Sequence, residues 1–257
     1  MAHVDVNGGR LWVEEAGSGA PVLFVHGGLG DSRLWEPQAT ALAAEFRTIR
    51  YDLRFWGRSE SPGIPVNMVD DLVGVLDALD VERAALVGLS LGGGLALDVT
   101  LAHPERVWAL AHVAGGASGL PLQLDPEIEA AYEAAVERGD LDAAMEIDLG
   151  IWAPLGVEER FRELWHATPD ARGVPDGADF APRPPVHERL AEVAVPTLVV
   201  VAQHDPEQLR EIGARVAREV PRATLVELDS DHYLTLREPD RVSEILRDFL
   251  AANAPPA

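Results

Sequence analysis

Short apolar runs alternate with longer amphipathic stretches along most of the chain. The first two runs flank Asn7-Gly8-Gly9-Arg10, whose glycines predict a tight hairpin turn. Later runs are almost wholly apolar, which is typical of parallel strands buried on both faces. The pattern predicts strands at residues 4–6, 11–15, 21–25, 48–52, 84–88, 107–114, 197–202 and 224–228.

Helical periodicity fills the intervals between the later strands, at residues 69–79, 91–102, 207–220 and 241–251. Strands separated by helices predict an α/β fold, with a mostly parallel central sheet flanked by helices on both faces.

The alternation breaks between residues 118 and 187. Helical patterns at 126–138, 141–152 and 157–166 follow one another there, and residues 169–185 are rich in proline, glycine and aspartate. We therefore predict two units, a core formed by residues 1–117 and 188–257 and a helical cap inserted at residues 118–187.

Composition and charge narrow the classes of function. The chain has 257 residues, which suits one sizeable domain with an insertion. Its net charge is 21 − 43 = −22, so we expect it to repel nucleic acid and anionic membranes. It has no cysteine, which excludes thiolate catalysis and cysteine-metal sites. No secretion signal or membrane-length apolar run is visible, so we expect a soluble cytoplasmic protein.

The glycine-rich stretch LVGLSLGGG, from Leu86 to Gly94, contains a candidate nucleophile. A phosphate-binding P-loop needs a lysine, and every basic residue of this chain is arginine. A dinucleotide fingerprint needs glycine where Ser90 stands. The segment instead fits G-x-S-x-G, in which a serine occupies a strained strand-to-helix turn. The alternative is that the glycines serve packing and that Ser90 is a helix N-cap.

Three more predicted strands end in residues that suit the same chemistry. His26-Gly27-Gly28 follows strand 21–25, Asp205 follows strand 197–202, and His232 follows strand 224–228. Ligands of such sheets collect at the carboxyl ends of the strands. The order serine, aspartate, histidine matches one class of hydrolytic triad.

Alternatives remain for the acid and for the other histidine. Asp205 could be the N-cap of the following helix, and Asp231 could be the acid, although its adjacency to His232 makes that geometry poor. We expect His26 to be a structural histidine that supports its glycine-rich loop.

The segments VLFVHGGLGDSRLWEPQ, YDLRFWGRSE, LVGLSLGGG, HDP and DHYLTLREPDRV together resemble the α/β-hydrolase-fold serine hydrolases, in particular the small esterase, enol-lactonase and perhydrolase-like branch. The resemblance runs from about residue 4 to residue 250. It implies that Ser90 is the nucleophile, His232 the base and Asp205 the acid. It also implies that the backbone N–H groups of Gly28 and Leu91 form the oxyanion hole, with neither cofactor nor metal.

This resemblance favours a serine hydrolase that cleaves a carboxylic ester or lactone of a small-molecule acyl substrate through an acyl-enzyme. Perhydrolysis, amide hydrolysis and carbon–carbon bond hydrolysis on the same triad are alternatives. A ligand-binding protein without catalysis is another, because a fold does not guarantee activity.

The chain departs from the family pattern at two places near the expected site. Phe55-Trp56-Gly57 stands where the family usually has glycine, another residue and glycine, and Asp231 precedes His232 where glycine is common. We expect at least one of Phe55 and Trp56 to narrow the substrate pocket.

Three further positions of the sequence bear on the pocket and on a helix end. Trp152 and Trp165 of the insertion could line the pocket or anchor the cap to the core. Asp80 stands where a helix-ending glycine is common, and aspartate tolerates the left-handed conformation better than most residues.

Overall fold

A central sheet of eight strands organises the computed structural model, which describes residues 1–120, 122–169, 173–175 and 177–256. The strands of the described residues are β1 Ala2–Val6, β2 Gly9–Ala16, β3 Pro21–Val25, β4 Arg47–Tyr51, β5 Pro65–Val66, β6 Ala84–Leu89, β7 Val107–Val113, β8 Asp179–Phe180, β9 Thr197–Ala202 and β10 Ala223–Leu228.

The order of strands in the sheet is β1-β2-β4-β3-β6-β7-β9-β10, and β5 pairs with β8 separately. β1 and β2 form the predicted antiparallel hairpin, and β2 runs antiparallel to β4. The other neighbours in the large sheet, from β4 to β10, pair in parallel. The mostly parallel sheet predicted from the sequence is therefore confirmed.

Helices cover both faces of the sheet. Those of the described residues are α1 Glu36–Leu42, α2 Met68–Ala78, α3 Leu91–Ala102, α4 Pro126–Glu137, α5 Leu141–Trp152, α6 Glu159–Trp165, α7 Glu207–Glu219, α8 Leu234–Arg237 and α9 Pro239–Asn253, with short 3₁₀ turns at Ser32–Trp35, Pro104–Arg106 and Leu190–Glu192.

Two hydrophobic clusters form, one on each side of the sheet. The first packs α2, α3 and α7 against it, and the second packs α1 and α9 against it. All residues of β6 and β7 are buried because both of their faces are covered, which explains their nearly continuous apolar sequences.

The helices α4, α5 and α6 follow β7, where the sequence predicted an insertion. α4 packs against α5, and Phe161 and Trp165 of α6 are buried in the second cluster of the core. The three helical patterns are confirmed, whereas the boundaries of a separate cap at residues 118 and 187 stay a prediction. Residues 170–172 and 176 of the predicted linker lie outside the described residues.

Two short helices were missing from the sequence prediction. α1 and α8 have seven and four residues, too few for a helical period to stand out. Asp80, after α2, has a φ of +52°, so it does adopt the left-handed conformation that its position in the pattern suggested.

Candidate active site

The carboxyl ends of four parallel strands bring the candidate residues to one edge of the sheet. Val25 at the end of β3 pairs with Gly88 of β6, and Ala202 at the end of β9 pairs with Leu228 of β10. His26, Ser90, Asp205 and His232 all follow within a few residues of these positions, so the strand register places them on the same edge.

Ser90 lies in a strained turn between β6 and α3. Its φ and ψ are +54° and −116°, a conformation that residues with a side chain rarely adopt and that costs about 1–3 kcal/mol. The Ser90 N–H donates to the Val113 carbonyl at 3.0 Å, and the Ser90 carbonyl accepts from the Gly116 N–H at 3.1 Å. These bonds to the end of β7 and the loop after it hold the turn in place.

Glycine is required on both sides of this turn because backbone atoms fill the space of a side chain. A Cβ on Gly88 would lie 2.1 Å from the Gly92 carbonyl oxygen, and one on Gly92 would lie 2.3 Å from the Val25 carbonyl oxygen. Ser90 occupies the N-cap position of α3, but its side chain makes no capping hydrogen bond. The geometry therefore does not support the N-cap alternative for Ser90.

Asp205 contacts the imidazole of His232. The Nδ1 atom of His232 lies 3.0 Å from Oδ1 of Asp205, and each residue is only 5% exposed. A carboxylate at Nδ1 places the proton on that nitrogen and leaves Nε2 free to accept one. Among the described residues, none forms a hydrogen bond with Ser90 Oγ.

The alternative acid, Asp231, has hydrogen-bond partners other than His232. Its Oδ1 accepts hydrogen bonds from Arg237 Nε at 2.7 Å and from the Tyr233 N–H at 3.2 Å. Its Oδ2 accepts from the Leu155 N–H at 3.2 Å. Asp231 thus joins the loop after β10 to the segment that follows α5.

His26 holds the glycine-rich loop that follows β3. Its Nε2 accepts from the Leu53 N–H at 2.9 Å, so Nδ1 carries the proton and donates to the Gly27 carbonyl at 2.7 Å. Complete burial is the largest cause that lowers the pKa of His26, which keeps the imidazole neutral. The Gly27 carbonyl and the Gly28 N–H belong to one planar peptide and point in opposite directions. His26 therefore fixes the direction of the Gly28 N–H.

Trp56 holds the next peptide of the same loop. Its indole Nε1 donates to the Gly28 carbonyl at 2.8 Å, and its ring lies 6.2 Å from that of His26. The Gly28–Leu29 peptide is therefore fixed on its carbonyl side by Trp56. This contact gives Trp56 a structural connection to Gly28 that the sequence pattern did not indicate.

Two cavities adjoin the edge of the sheet. The serine cavity has a volume of about 430 Å³ and is lined by Ser90, Leu91, Gly116, Ala117, Ser118, Gly119, Leu120, Leu122, Trp152, Arg183, Leu209 and Ile212. The α4–α5 cavity has a volume of about 600 Å³ and is lined by Gly28, Leu29, Trp56, Leu124, Ile128, Glu129, Tyr132, Glu133, Asp148, Ile151, Trp152, Thr168, Pro169, Val174 and Phe180. Trp152 lines both cavities, and its ring lies 4.5 Å from the His232 ring.

The four aromatic residues expected at the pocket divide into two pairs. Trp56 lines the α4–α5 cavity, and Trp152 lines both cavities. Phe55 is instead buried in the first core cluster with its ring edge-on to Phe180, and Trp165 is fully buried with its Nε1 donating to Asp148 at 2.7 Å. The rings of this second pair pack against neighbouring core side chains and lie on neither of these two cavity walls, so Trp165 fits the alternative of an anchor between cap and core. That at least one of Phe55 and Trp56 narrows the substrate pocket stays a prediction.

Arg183, with Asp98 and Ser118, forms a charged group in the wall of the serine cavity that sequence reasoning missed. Arg183 Nη1 lies 2.9 Å from Oδ2 of Asp98, and the Ser118 hydroxyl is 2.9 Å from each Asp98 oxygen. Burial is the main cause that raises the pKa of Asp98 to about 6. Arg183 stands in the proline-rich segment APRPPV, where no periodicity indicates which way a side chain faces.

The described residues offer neither a metal site nor a membrane-spanning helix. Within the ranges that the structure describes, no three or more histidine, aspartate or glutamate residues are grouped so that they could hold a metal ion. In the same ranges, no helix has the length and apolar character needed to span a bilayer.

Comparison with known proteins agrees with this architecture. Residues 20–146 match a family model described as the alpha/beta hydrolase fold. A protein of Azorhizobium caulinodans provisionally named carbamate hydrolase RutD is 29% identical over 93% of this chain and 94% of its own length. The 3-oxoadipate enol-lactonase 1 of Acinetobacter baylyi is 25% identical, over 90% and 89%.

A solved structure extends the likeness to three dimensions. The structure of a thermophilic esterase from Thermogutta terrifontis superposes with a TM-score of 0.78 at 26% identity, and the match covers 99% of each chain. The relatives of this chain are thus named as hydrolases of several substrate classes, namely a carbamate, an enol-lactone and an ester.

Proposed function

The chain belongs to the α/β-hydrolase fold family, and from that premise we propose that it is a serine hydrolase that cleaves a carboxylic ester or lactone through an acyl-enzyme. The observation that carries the proposal is the strained turn of Ser90 on the sheet edge that also holds the paired His232 and Asp205. Relatives named as an esterase and an enol-lactonase support this substrate class.

In the proposed reaction, Ser90 Oγ attacks the acyl carbonyl carbon while Nε2 of His232 takes its proton. Asp205 holds the proton on Nδ1 and stabilises the charge that develops on the imidazolium. When the tetrahedral intermediate collapses, His232 returns the proton to the leaving oxygen. A water molecule, deprotonated by the same histidine, then releases the acid and regenerates Ser90.

The proposed oxyanion hole consists of the backbone N–H groups of Leu91 and Gly28. Leu91 is the first residue of α3, where unpaired N–H groups and the helix dipole favour negative charge. The bonds of His26 to Gly27 and of Trp56 to Gly28 support the second donor, because they restrict the peptides on both sides of Gly28. Removal of one such donor typically lowers the rate by roughly 10²–10³.

The test is ester and lactone turnover by the wild type, by Ser90→Ala and by Asp205→Asn. We expect wild-type turnover of at least one short-chain ester or lactone. Ser90→Ala should lose nearly all of it, and Asp205→Asn should lose about 10⁴ in kcat, because the imidazole then adopts the wrong tautomer.

Asp231→Asn is the matched control for the acid, because it removes the neighbouring carboxylate and leaves the Asp205 contact in place. It should retain most of the turnover. Undiminished turnover by Ser90→Ala would disprove the proposal. A loss confined to Asp231→Asn would show that Asp205 is not the acid.

A further inference from the structure

Arg183 places a positive charge in the wall of the cavity that contains Ser90. Most of that wall is apolar or small, and leucines, Ile212 and Trp152 supply its larger side chains. Arg183 lines this cavity, and its side chain is 24% exposed. The chain as a whole is strongly acidic, with a net charge of −22, so the positive charge of Arg183 contrasts with the charge of the rest of the protein.

The contacts of Arg183 with the other described residues leave much of its hydrogen-bonding capacity unused. A guanidinium has five N–H donors in a planar fork. Nη1 lies close to Asp98 Oδ2 but is not aligned for a hydrogen bond, and it is buried. Both oxygens of Asp98 also accept from Ser118, which fixes the carboxylate as an anchor behind the arginine.

The guanidinium lies about one helical turn from the proposed nucleophile. A Cβ on Gly94 would lie 3.3 Å from Arg183 Nη1, and Gly94 is four residues after Ser90 along α3. Four residues of helix rise by about 6 Å. An acyl chain of a few carbons attached to Ser90 therefore has the length needed to bring a terminal group to Arg183.

We propose that Arg183 binds a carboxylate at the far end of the acyl group, so that the enzyme prefers half-esters or lactones of dicarboxylic acids. This inference rests on the proposed function and names its substrate class. The planar fork of arginine matches a carboxylate, and charge-assisted hydrogen bonds of this kind are about twice as strong as neutral ones. The apolar wall between Leu91 and Leu122 suits the methylene chain that joins the two ends.

A role in stability alone explains the pair of Arg183 and Asp98 less well than substrate binding does. Taking two charges out of water is costly, and apolar side chains of similar volume often stabilise a protein as much or more. Asp98 is 3% exposed, so its desolvation is nearly complete. Recognition of a charged substrate would explain why a charged pair lies in a cavity wall whose other side chains are mostly apolar.

The experiment compares two esters that differ at one end. The monophenyl ester of glutaric acid carries a terminal carboxylate, and its analogue has a primary amide there. We expect wild-type kcat/KM to be higher for the carboxylate ester by roughly 10- to 100-fold, the value of a charge-assisted hydrogen bond. Arg183→Gln should reduce that ratio toward one, mainly by raising KM for the carboxylate ester. Arg183→Lys should be intermediate.

Arg106→Gln is the matched control, because it removes the same charge from an ion-paired arginine of similar exposure, 17%, outside the cavity. It should keep the wild-type ratio. A wild type without preference for the carboxylate ester would overturn the inference. Equal losses on both esters in Arg183→Gln would also overturn it, since they indicate a structural role.

A binding measurement separates this inference from the proposed function. If the wild type hydrolyses no ester or lactone, the proposed function fails, while glutarate binding still decides the role of Arg183. Saturation-transfer NMR should then detect glutarate with the wild type and with Arg106→Gln but not with Arg183→Gln. Absence of binding to the wild type would contradict the inference.

Discussion

Phe55 stands in a backbone conformation that normally favours glycine. Its φ is +73°, which is rare for a bulky residue, and such strain costs about 1–3 kcal/mol. The side chain is 5% exposed, and burial of a phenylalanine stabilises the fold by about 1.5–3 kcal/mol. The two effects are of similar size, so phenylalanine can replace the glycine of the family pattern while the loop keeps a left-handed turn.

At the neighbouring position, the indole of Trp56 affects the proposed oxyanion hole through Gly28. Trp56→Phe keeps an aromatic ring but removes the N–H that donates to the Gly28 carbonyl. We expect kcat for a short-chain ester to fall about 5- to 10-fold, the equivalent of about 1 kcal/mol for one hydrogen bond. KM should change less, because the oxyanion forms only as the reaction proceeds.

Trp108→Phe is the matched control for this prediction. Trp108 is also buried, and its Nε1 donates to the Pro21 carbonyl at 3.1 Å, away from the site. Both variants should lose a similar amount of thermal stability, and only Trp56→Phe should lose kcat. If kcat falls equally in the two variants, the effect is one of general packing.

At the scale of elements, the buried ion pair of Asp231 and Arg237 lies where the loop that carries His232 meets the segment between α5 and α6. Asp231 is fully buried, and Arg237 of α8 donates to it and also to Glu158 at 3.1 Å and to the Gly156 carbonyl. The Arg237 guanidinium lies 4.9 Å from the centre of the Phe161 ring, which adds a cation–π contact with α6. Glycine is common at the Asp231 position in the family that the sequence resembles, and a glycine there would give Arg237 no carboxylate partner.

Removal of Arg237 should leave Asp231 as an uncompensated buried charge. We expect Arg237→Met to lower the free energy of unfolding in urea by about 3 kcal/mol, since breaking a buried pair from one side typically costs about 3–5 kcal/mol. The exposed pair of Arg241 and Glu244 provides the control, because Arg241→Met should change stability by less than about 1 kcal/mol. Equal stability of the two variants would show that the pair does not hold the loop.

At the scale of the whole molecule, the sequence predicted most of the architecture because burial controls it. Strands 21–25 and 197–202 and the helix at 141–152 have the observed bounds, since their apolar patterns reflect packing directly. The residues that follow the strands could be placed on one edge because parallel strands all end there.

The cavity walls could not be predicted in the same way. Phe55 packs into the core and Arg183 lines the serine cavity. Both residues stand in loops, where no periodic pattern indicates which way a side chain faces. Likewise, Asp231 is next to His232 in sequence, but its partners come from α8 and from the segment after α5. Such contacts are set by the tertiary arrangement of distant segments, which local pattern does not contain.

The most direct test of the account is to identify the atom that an organophosphonate modifies. The chain has no lysine, so trypsin releases residues 84–106 as one peptide, and Ser90 is its single serine. After reaction with a fluorophosphonate, mass spectrometry should find one phosphonyl group on this peptide at Ser90, with ester turnover lost in proportion. Ser90→Ala should remain unlabelled. Labelling at another residue, or full turnover by the labelled protein, would contradict the assignment of Ser90 as the nucleophile.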